Sequence, residues 1–221
     1  MEETNKKRHK YIKDFNPDVV LLTDSHQDFN FTAGPGYKNF DEFIQKEALD
    51  YTKRGAGVTY LVYNVKKDVY NQEVSREPVA YYTLTANAIP YIYRIYLDED
   101  EAKEVGQPYL DELWGINASE IKMFAVDQKY QDVFFEFDGD KKPISAWILQ
   151  NIIDIMSDMS HSMIGFKAIF LHSIPEAENF YLKNGFQNMS SIMQPFHCID
   201  YDLTPLYLAL NELDIEHLKD I

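Results

Sequence analysis

A chain of 221 residues, 45% hydrophobic and 14% aromatic, suffices for one folded domain that buries about 70% of its unfolded surface. Its 36 acidic and 21 basic residues give a net charge of −15, which repels polyphosphates at long range and attracts amines and other cations. The lone cysteine, Cys198, excludes an intramolecular disulfide and a cysteine zinc cluster, and reads as a small buried hydrophobe of a reducing compartment.

Residues 1–14 are charged and aperiodic, with five basic and two acidic groups among the first 13, and read as a tail. Residues 15–221 read as a single domain. No apolar stretch follows Met1 as a secretory signal would require, and no run approaches a membrane span, so a cytoplasmic chain is expected. A helix is predicted from Asn39, with Phe40, Phe43, Ile44, Ala48 and Tyr51 as its apolar stripe and Gly55-Ala56-Gly57 as its end. Val58 to Val65 and Pro78 to Thr85 are β-rich and predict an antiparallel pair. Asp98 to Glu112 reads as a loosely helical, acidic, solvated insertion within 98–113.

Ile121 to Val126 predicts a strand, followed by a loop over residues 132–142. Pro143 then opens a second helix, striped by Ile144, Trp147, Ile148, Ile152, Ile155, Met156 and Met159 and ending before Gly165. A strand is predicted over 166–172, a helix over 175–184, and a β-rich region from 186 to about 210. This order is an α/β (α+β) pattern, compatible with one mixed sheet covered on both faces. Ser173 and Glu176 have capping-box spacing around Pro175, and Asn184-Gly185 supplies a left-handed helix end. Ala177, Phe180 and Tyr181 share one helical face, so a phenol is held at a fixed depth beside a strand end.

The heptapeptide Phe180-Tyr181-Leu182-Lys183-Asn184-Gly185-Phe186 resembles the last βα unit of the GNAT superfamily of acyl-CoA N-acyltransferases. Phe29 to Gly34, with Asp41 to Ile44 and Ala48, resembles the opening of the branch that includes tRNA-acetylating toxins. Pro78 to Leu84 is similar to that branch's third strand, with Ala80 where glycine is usual, and Met123 to Gln131 resembles the central strand and start of the cofactor loop. The resemblance implies a mixed, mostly antiparallel sheet of about six to seven strands with helices on both faces. It also implies acetyl transfer from acetyl-CoA, as co-substrate, to an amine of a small molecule or protein. The alternatives are a catalytically silent binding module and a toxin acetylating tRNA, against which the acidic charge argues. A second copy of the chain is a candidate partner.

By this resemblance Tyr181 is the acid that protonates the departing thiolate. An unperturbed phenol facing a thiolate is uphill by about 1.5 pH units, roughly 2 kcal/mol, so its pKa must fall, or proton transfer must accompany C–S cleavage, or water must supply the proton. Backbone along Phe124, Ala125 and Val126 would bind pantetheine and supply an oxyanion donor. Gln131 should open a glycine-rich pyrophosphate loop, but Phe134 and Glu136 stand where small residues are expected. Lys141, Lys142 and the amides of Ile144, Ser145 and Ala146 form one replacement; a solvated lysine pair is the other reading. The base is open among Asp127, Glu136 and His172, and no spacing in the chain suits a metal.

Overall fold

The computed structural model describes residues 10–26, 29–189 and 202–210; Cys198 lies outside them. In chain order the strands and helices begin with β1 (Lys10–Tyr11), β2 (Pro17–Leu21), α1 (Lys38–Glu42), α2 (Ala48–Lys53), β3 (Val58–Lys67) and β4 (Glu73–Tyr96). They continue with α3 (Glu99–Val105), β5 (Tyr109–Val126), β6 (Val133–Phe137), β7 (Asp140–Pro143) and α4 (Ile144–Ser162). The last are β8 (Ala168–Ser173), α5 (Pro175–Lys183), β9 (Gln187–Asn188) and β10 (Thr204–Ala209). A seven-stranded mixed sheet has the order β2-β3-β4-β5-β8-β10-β9, and a small sheet has the order β1-β6-β7. The chain clusters into two compact units: Met1–Thr85 with Ile121–Ile153, and Ala86–Glu120 with Asp154–Ile221.

In the first unit, β3 pairs antiparallel with β2 and with β4, as the two β-rich runs predict for β3 and β4. The register shifts between Val62↔Ala80 and Tyr63↔Pro78, so Val79 is the extra residue of a bulge. The Val79 carbonyl accepts a 2.7 Å hydrogen bond from the Asp127 amide, just past the end of β5. Helix α1 runs through a π-helical turn over Phe43–Glu47 into α2, and the turn carries the buried Phe43 and Ile44. These residues, with Phe29, Phe31, Ala48, Leu61, Tyr63, Tyr81 and Ala125, form an aromatic-rich core cluster.

The expected loop over residues 132–142 is instead a β-hairpin. β6 and β7 pair from Phe134↔Pro143 to Phe137↔Asp140 across Asp138-Gly139, both at positive φ (52° and 82°). Two left-handed residues match the twist of a tight hairpin, and aspartate-glycine is the pair that adopts them at least cost. Val133 and Phe135 alternate inward, Phe15, Phe135 and Trp147 meet edge to face, and Phe137 packs tilted against Trp147. β1 adds to β6 in parallel through Lys10↔Val133 and Tyr11↔Phe134. Strand pairing thus reaches into the segment expected as a charged tail.

The second unit holds the distal lengths of β4 and β5 and the acidic segment between them. Asp98 caps α3 by accepting from the amides of Asp100 and Glu101, while the Glu101 carboxylate accepts from the Asp98 amide. Gly106 ends the helix at φ 80°. Arg94 grips Asp111 through two bonds of 2.8 and 2.9 Å, and Tyr93 packs on Trp114. The acidic run is therefore a capped helix at the tip of two long strands. A second core cluster joins Ile89, Ala118, Ala168, Phe170, Met189 and Tyr207. Along α4 the buried apolar residues are Ile144, Ile148, Leu149, Ile152, Ile153 and Met156, and Ile155 faces solvent at 39% exposure. The stripe is rotated from the expected one because Leu149 and Ile153 replace Ile155 on the inner face.

At Gly57 a side chain meets fixed atoms: a Cβ would lie 2.7 Å from Tyr51 Cε1 and Thr85 Cγ2, and 2.8 Å from the Leu84 carbonyl. Gly57→Ala is expected to cost about 1–3 kcal/mol through overpacking. A urea melt reads this directly, and an unchanged midpoint would show that the backbone yields freely.

Candidate active site

The second unit supplies a buried phenol on a tightly closed helix. Proline at the first position of α5 sets its entry, but the expected Ser173–Glu176 capping box is absent. Ser173 ends β8, is 2% exposed, and donates its hydroxyl to the Ile174 carbonyl, while Ile174 takes the cap position without a side-chain bond. Strand burial wins over capping at this residue. The other end of α5 behaves as the sequence predicts. Gly185 sits at φ 91°, its amide donates to Leu182, and the Phe186 amide donates to the Tyr181 carbonyl. That double closure is a Schellman motif, which favours an apolar contact between the residues at its two ends. Here those residues are Tyr181 and Phe186, with ring centroids 5.7 Å apart. The aromatic-to-aromatic spacing of the heptapeptide is thus a mechanical device that fixes the phenol.

Tyr181 is 8% exposed, and burial alone pushes its phenol well above the ordinary value. The phenol stays protonated at neutral pH, so a proton is available. It is also a weaker acid than free tyrosine. Transfer to a free thiolate is then more uphill than for an unperturbed phenol, which leaves transfer concerted with bond cleavage, or a proton from water, as the workable routes.

β5 and β8 pair in parallel over three rungs, Ala118↔Ala168, Ser119↔Ile169 and Glu120↔Phe170. Opposed residues in such a ladder point to the same face, so Glu120 and His172 share the face of the Ala118, Ala168 and Phe170 core. The Glu120 side chain is 6% exposed and that of His172 16%, with Oε1 and Nδ1 3.5 Å apart. Asn87 Nδ2 donates to the other Glu120 oxygen at 2.9 Å, and Asn87 Oδ1 accepts from the Ala88 amide. Sequence reasoning named His172 and missed Glu120. The available signal was an acid inside an otherwise inward-facing alternation, where a carboxylate persists only with partners.

The remaining expected residues lie in the first unit. Phe124, Ala125 and Val126 end β5, and Ala125 is buried in the first core cluster. Asp127, 2% exposed, accepts from the amides of Thr32 and Lys129, which makes it a clasp for the strand end. Gln131 donates its side-chain amide to the carbonyls of Ala33 and Val126. Lys141 and Lys142 belong to β7, with their ammonium groups 5.4 and 4.8 Å from the rings of Tyr11 and Phe137. Glu136 faces Lys141 across the hairpin and accepts from the Tyr11 hydroxyl at 3.2 Å. Ile144, Ser145 and Ala146 are the first three residues of α4, so their amides stand at a helix start. The hairpin separates this start from β5, as the sequence distance between Gln131 and Pro143 requires. Tyr181 belongs to the other unit.

Among the described residues, no helix is long and apolar enough to cross a membrane, and no grouping of His, Cys, Asp or Glu could hold a metal ion.

The sequence matches no protein-family profile and no curated protein. Solved structures do match. A tyrosine-to-phenylalanine variant of KacT aligns over 88% of this chain and 95% of its own, with TM-score 0.55 and 12% identity. AtaTR bound with AcCoA aligns over 88% and 94%, with TM-score 0.56 and 14% identity. AtaT complexed with acetyl-methionyl-tRNAfMet aligns over 86% and 94%, with TM-score 0.50 and 14% identity. The chain has the GNAT fold.

The closed end of α5 and its buried phenol have measurable consequences. Gly185→Ala is expected to lose about 1 kcal/mol or more, since alanine resists positive φ; a thermal melt equal to wild type would show that the motif is not under this constraint. Because folding raises the Tyr181 pKa above the unfolded value near 10, the contribution is full below pH 10 and is lost as pH climbs beyond it. Alkaline denaturation followed from pH 9 to 12 should be shallower for Tyr181→Phe. A slope identical to wild type would place the phenol in solvent.

Proposed function

We propose that this chain is an acetyl-CoA-dependent N-acetyltransferase whose acceptor is the amine of an aminoacyl-tRNA. The observation that carries the reading is Tyr181, a neutral phenol pinned by the Schellman closure on the helix that follows β8. In an acyl transfer of this kind, the amine attacks the thioester carbonyl, the oxyanion takes a backbone donor, and the phenol gives its proton as the C–S bond breaks. The end of β5 at Phe124, Ala125 and Val126 offers backbone for the pantetheine arm. The start of α4 at Ile144, Ser145 and Ala146 offers amides for the diphosphate, with Lys141 and Lys142 beside them. Support for the substrates comes from the shared fold, since AtaTR was solved with AcCoA and AtaT with acetyl-methionyl-tRNAfMet.

A net charge of −15 argues against a polyanionic acceptor until its distribution is considered. The first unit carries 16 basic and 18 acidic residues, a balance of −2, whereas the second carries 5 and 18, a balance of −13. Repulsion of tRNA is therefore concentrated in the second unit. The first unit presents little long-range barrier. A second reading, acetylation of a small or protein amine, is favoured by the acidic balance of the unit that holds Tyr181. The hairpin where a glycine-rich phosphate loop is expected favours a third, a fold retained for binding alone.

Thermal-shift titration separates an acetyl-CoA user from a silent fold: ligand at 100 times Kd should stabilise by about 2.7 kcal/mol. The absence of any shift at millimolar acetyl-CoA would reject the enzyme. Radiolabelled acetyl-CoA offered with aminoacyl-tRNA or with polyamines and peptides then identifies the acceptor. Label in tRNA is expected, and label only in small amines would select the second reading. Tyr181→Phe should lower kcat about tenfold or more, and full activity would return Tyr181 to the core.

A further inference from the structure

We propose that His172 is the group that takes the proton from the acceptor amine, and that Glu120, held by Asn87, positions it. This inference rests on the acetyltransferase reading above and supplies what that reading lacks, a base.

The three residues belong to one unit and reach one place from three strands: Asn87 from β4, Glu120 from the last rung of the β5–β8 ladder, and His172 from β8 two residues past that rung. Each is fixed by the next. The Ala88 amide orients the Asn87 carboxamide, whose Nδ2 holds one Glu120 oxygen at 2.9 Å. The other oxygen lies 3.5 Å from His172 Nδ1. A carboxylate at that ring nitrogen selects the tautomer with the proton on Nδ1, so the lone pair resides on Nε2. Phe170 packs edge-on against the imidazole at 5.9 Å and limits its rotation. Exposure is graded: His172 keeps 16% of its side chain accessible and Glu120 only 6%. An incoming amine therefore meets the imidazole before the carboxylate.

The other acids weighed from the sequence have different occupations. Asp127 is engaged by two backbone amides, and Glu136 lies on the exposed hairpin against Tyr11.

The step balances as follows. The amine nitrogen forms a bond to the thioester carbonyl carbon, and the proton it sheds passes to His172 Nε2. As the oxyanion re-forms the carbonyl, the C–S bond breaks with its electron pair on sulfur, which takes the Tyr181 proton in the same step. The imidazolium and the phenolate exchange their proton imbalance with solvent before the next turnover. No oxidant or metal enters.

The test uses the full chain, acetyl-CoA and the acceptor labelled in the radiochemical assay. His172→Ala and His172→Gln should each lower kcat by about 10²-fold or more, while the thermal shift with acetyl-CoA remains that of wild type. Added imidazole should restore part of the His172→Ala rate, which a merely structural role would not permit. Glu120→Gln should lower kcat with little change in KM, and should have no further effect in the His172→Ala background. A kcat within threefold of wild type in either histidine variant overturns the assignment. So does a loss of activity that imidazole leaves untouched and that coincides with lost acetyl-CoA binding. Wild-type protein that binds no acetyl-CoA would sink the acetyltransferase reading itself, and this inference with it.

Discussion

Parallel strands cannot be joined by a tight turn, and the three-rung contact between β5 and β8 is the constraint on which the rest of this structure depends. The chain leaves β5, folds the β6–β7 hairpin, and returns along the 19-residue helix α4 before β8 can be laid down. β8 then serves two roles. It pairs with β5 on one side and with β10 on the other, over six antiparallel rungs from Thr204↔Ser173 to Ala209↔Ala168. Its last residue, Ser173, is buried, which forces α5 to start at once on Ile174-Pro175. Tyr181 and His172 take their positions from this strand, and Glu120 marks its last rung. Loosening that ladder would move all three together.

The Tyr181 phenol and the Glu120 carboxylate in the second unit are both buried at a cost, and the compensation differs between them. The Tyr181 phenol is neutral, so burial raises its pKa without creating an unpaired charge. The Glu120 carboxylate would be far more expensive in isolation, and it is met by a carboxamide and an imidazole. A fold has little reason to assemble that set for stability, since an apolar trio of similar volume often serves as well or better. This asymmetry is what makes the cluster informative about chemistry rather than packing.

Much of this was legible in the residues. The heptapeptide ending in Phe186 specifies a helix end whose closure brings its second and last residues together, and the ring contact between Tyr181 and Phe186 follows from that spacing. The antiparallel pairing of β3 and β4 could be read from two β-branched, aromatic runs and a charged turn. Asp138-Gly139 was equally explicit as a hairpin signal, flanked by alternating Val133, Phe135 and Phe137, yet expectation of a phosphate loop concealed it. Asp98 and Glu101 likewise spell a capping box inside a run that reads as mere solvated charge. Glu120 was beyond reach for a different reason. Its partners come from β4 and β8, 33 residues before it in the chain for Asn87, and no local pattern encodes such a meeting.

The central claim is that a thioester is delivered to the buried phenol of α5. A crystal structure with acetyl-CoA tests it most directly. The account requires the thioester sulfur within hydrogen-bond reach of the Tyr181 hydroxyl, at about 3–3.5 Å. Acetyl-CoA seated elsewhere, with its sulfur out of reach of that hydroxyl, would contradict it.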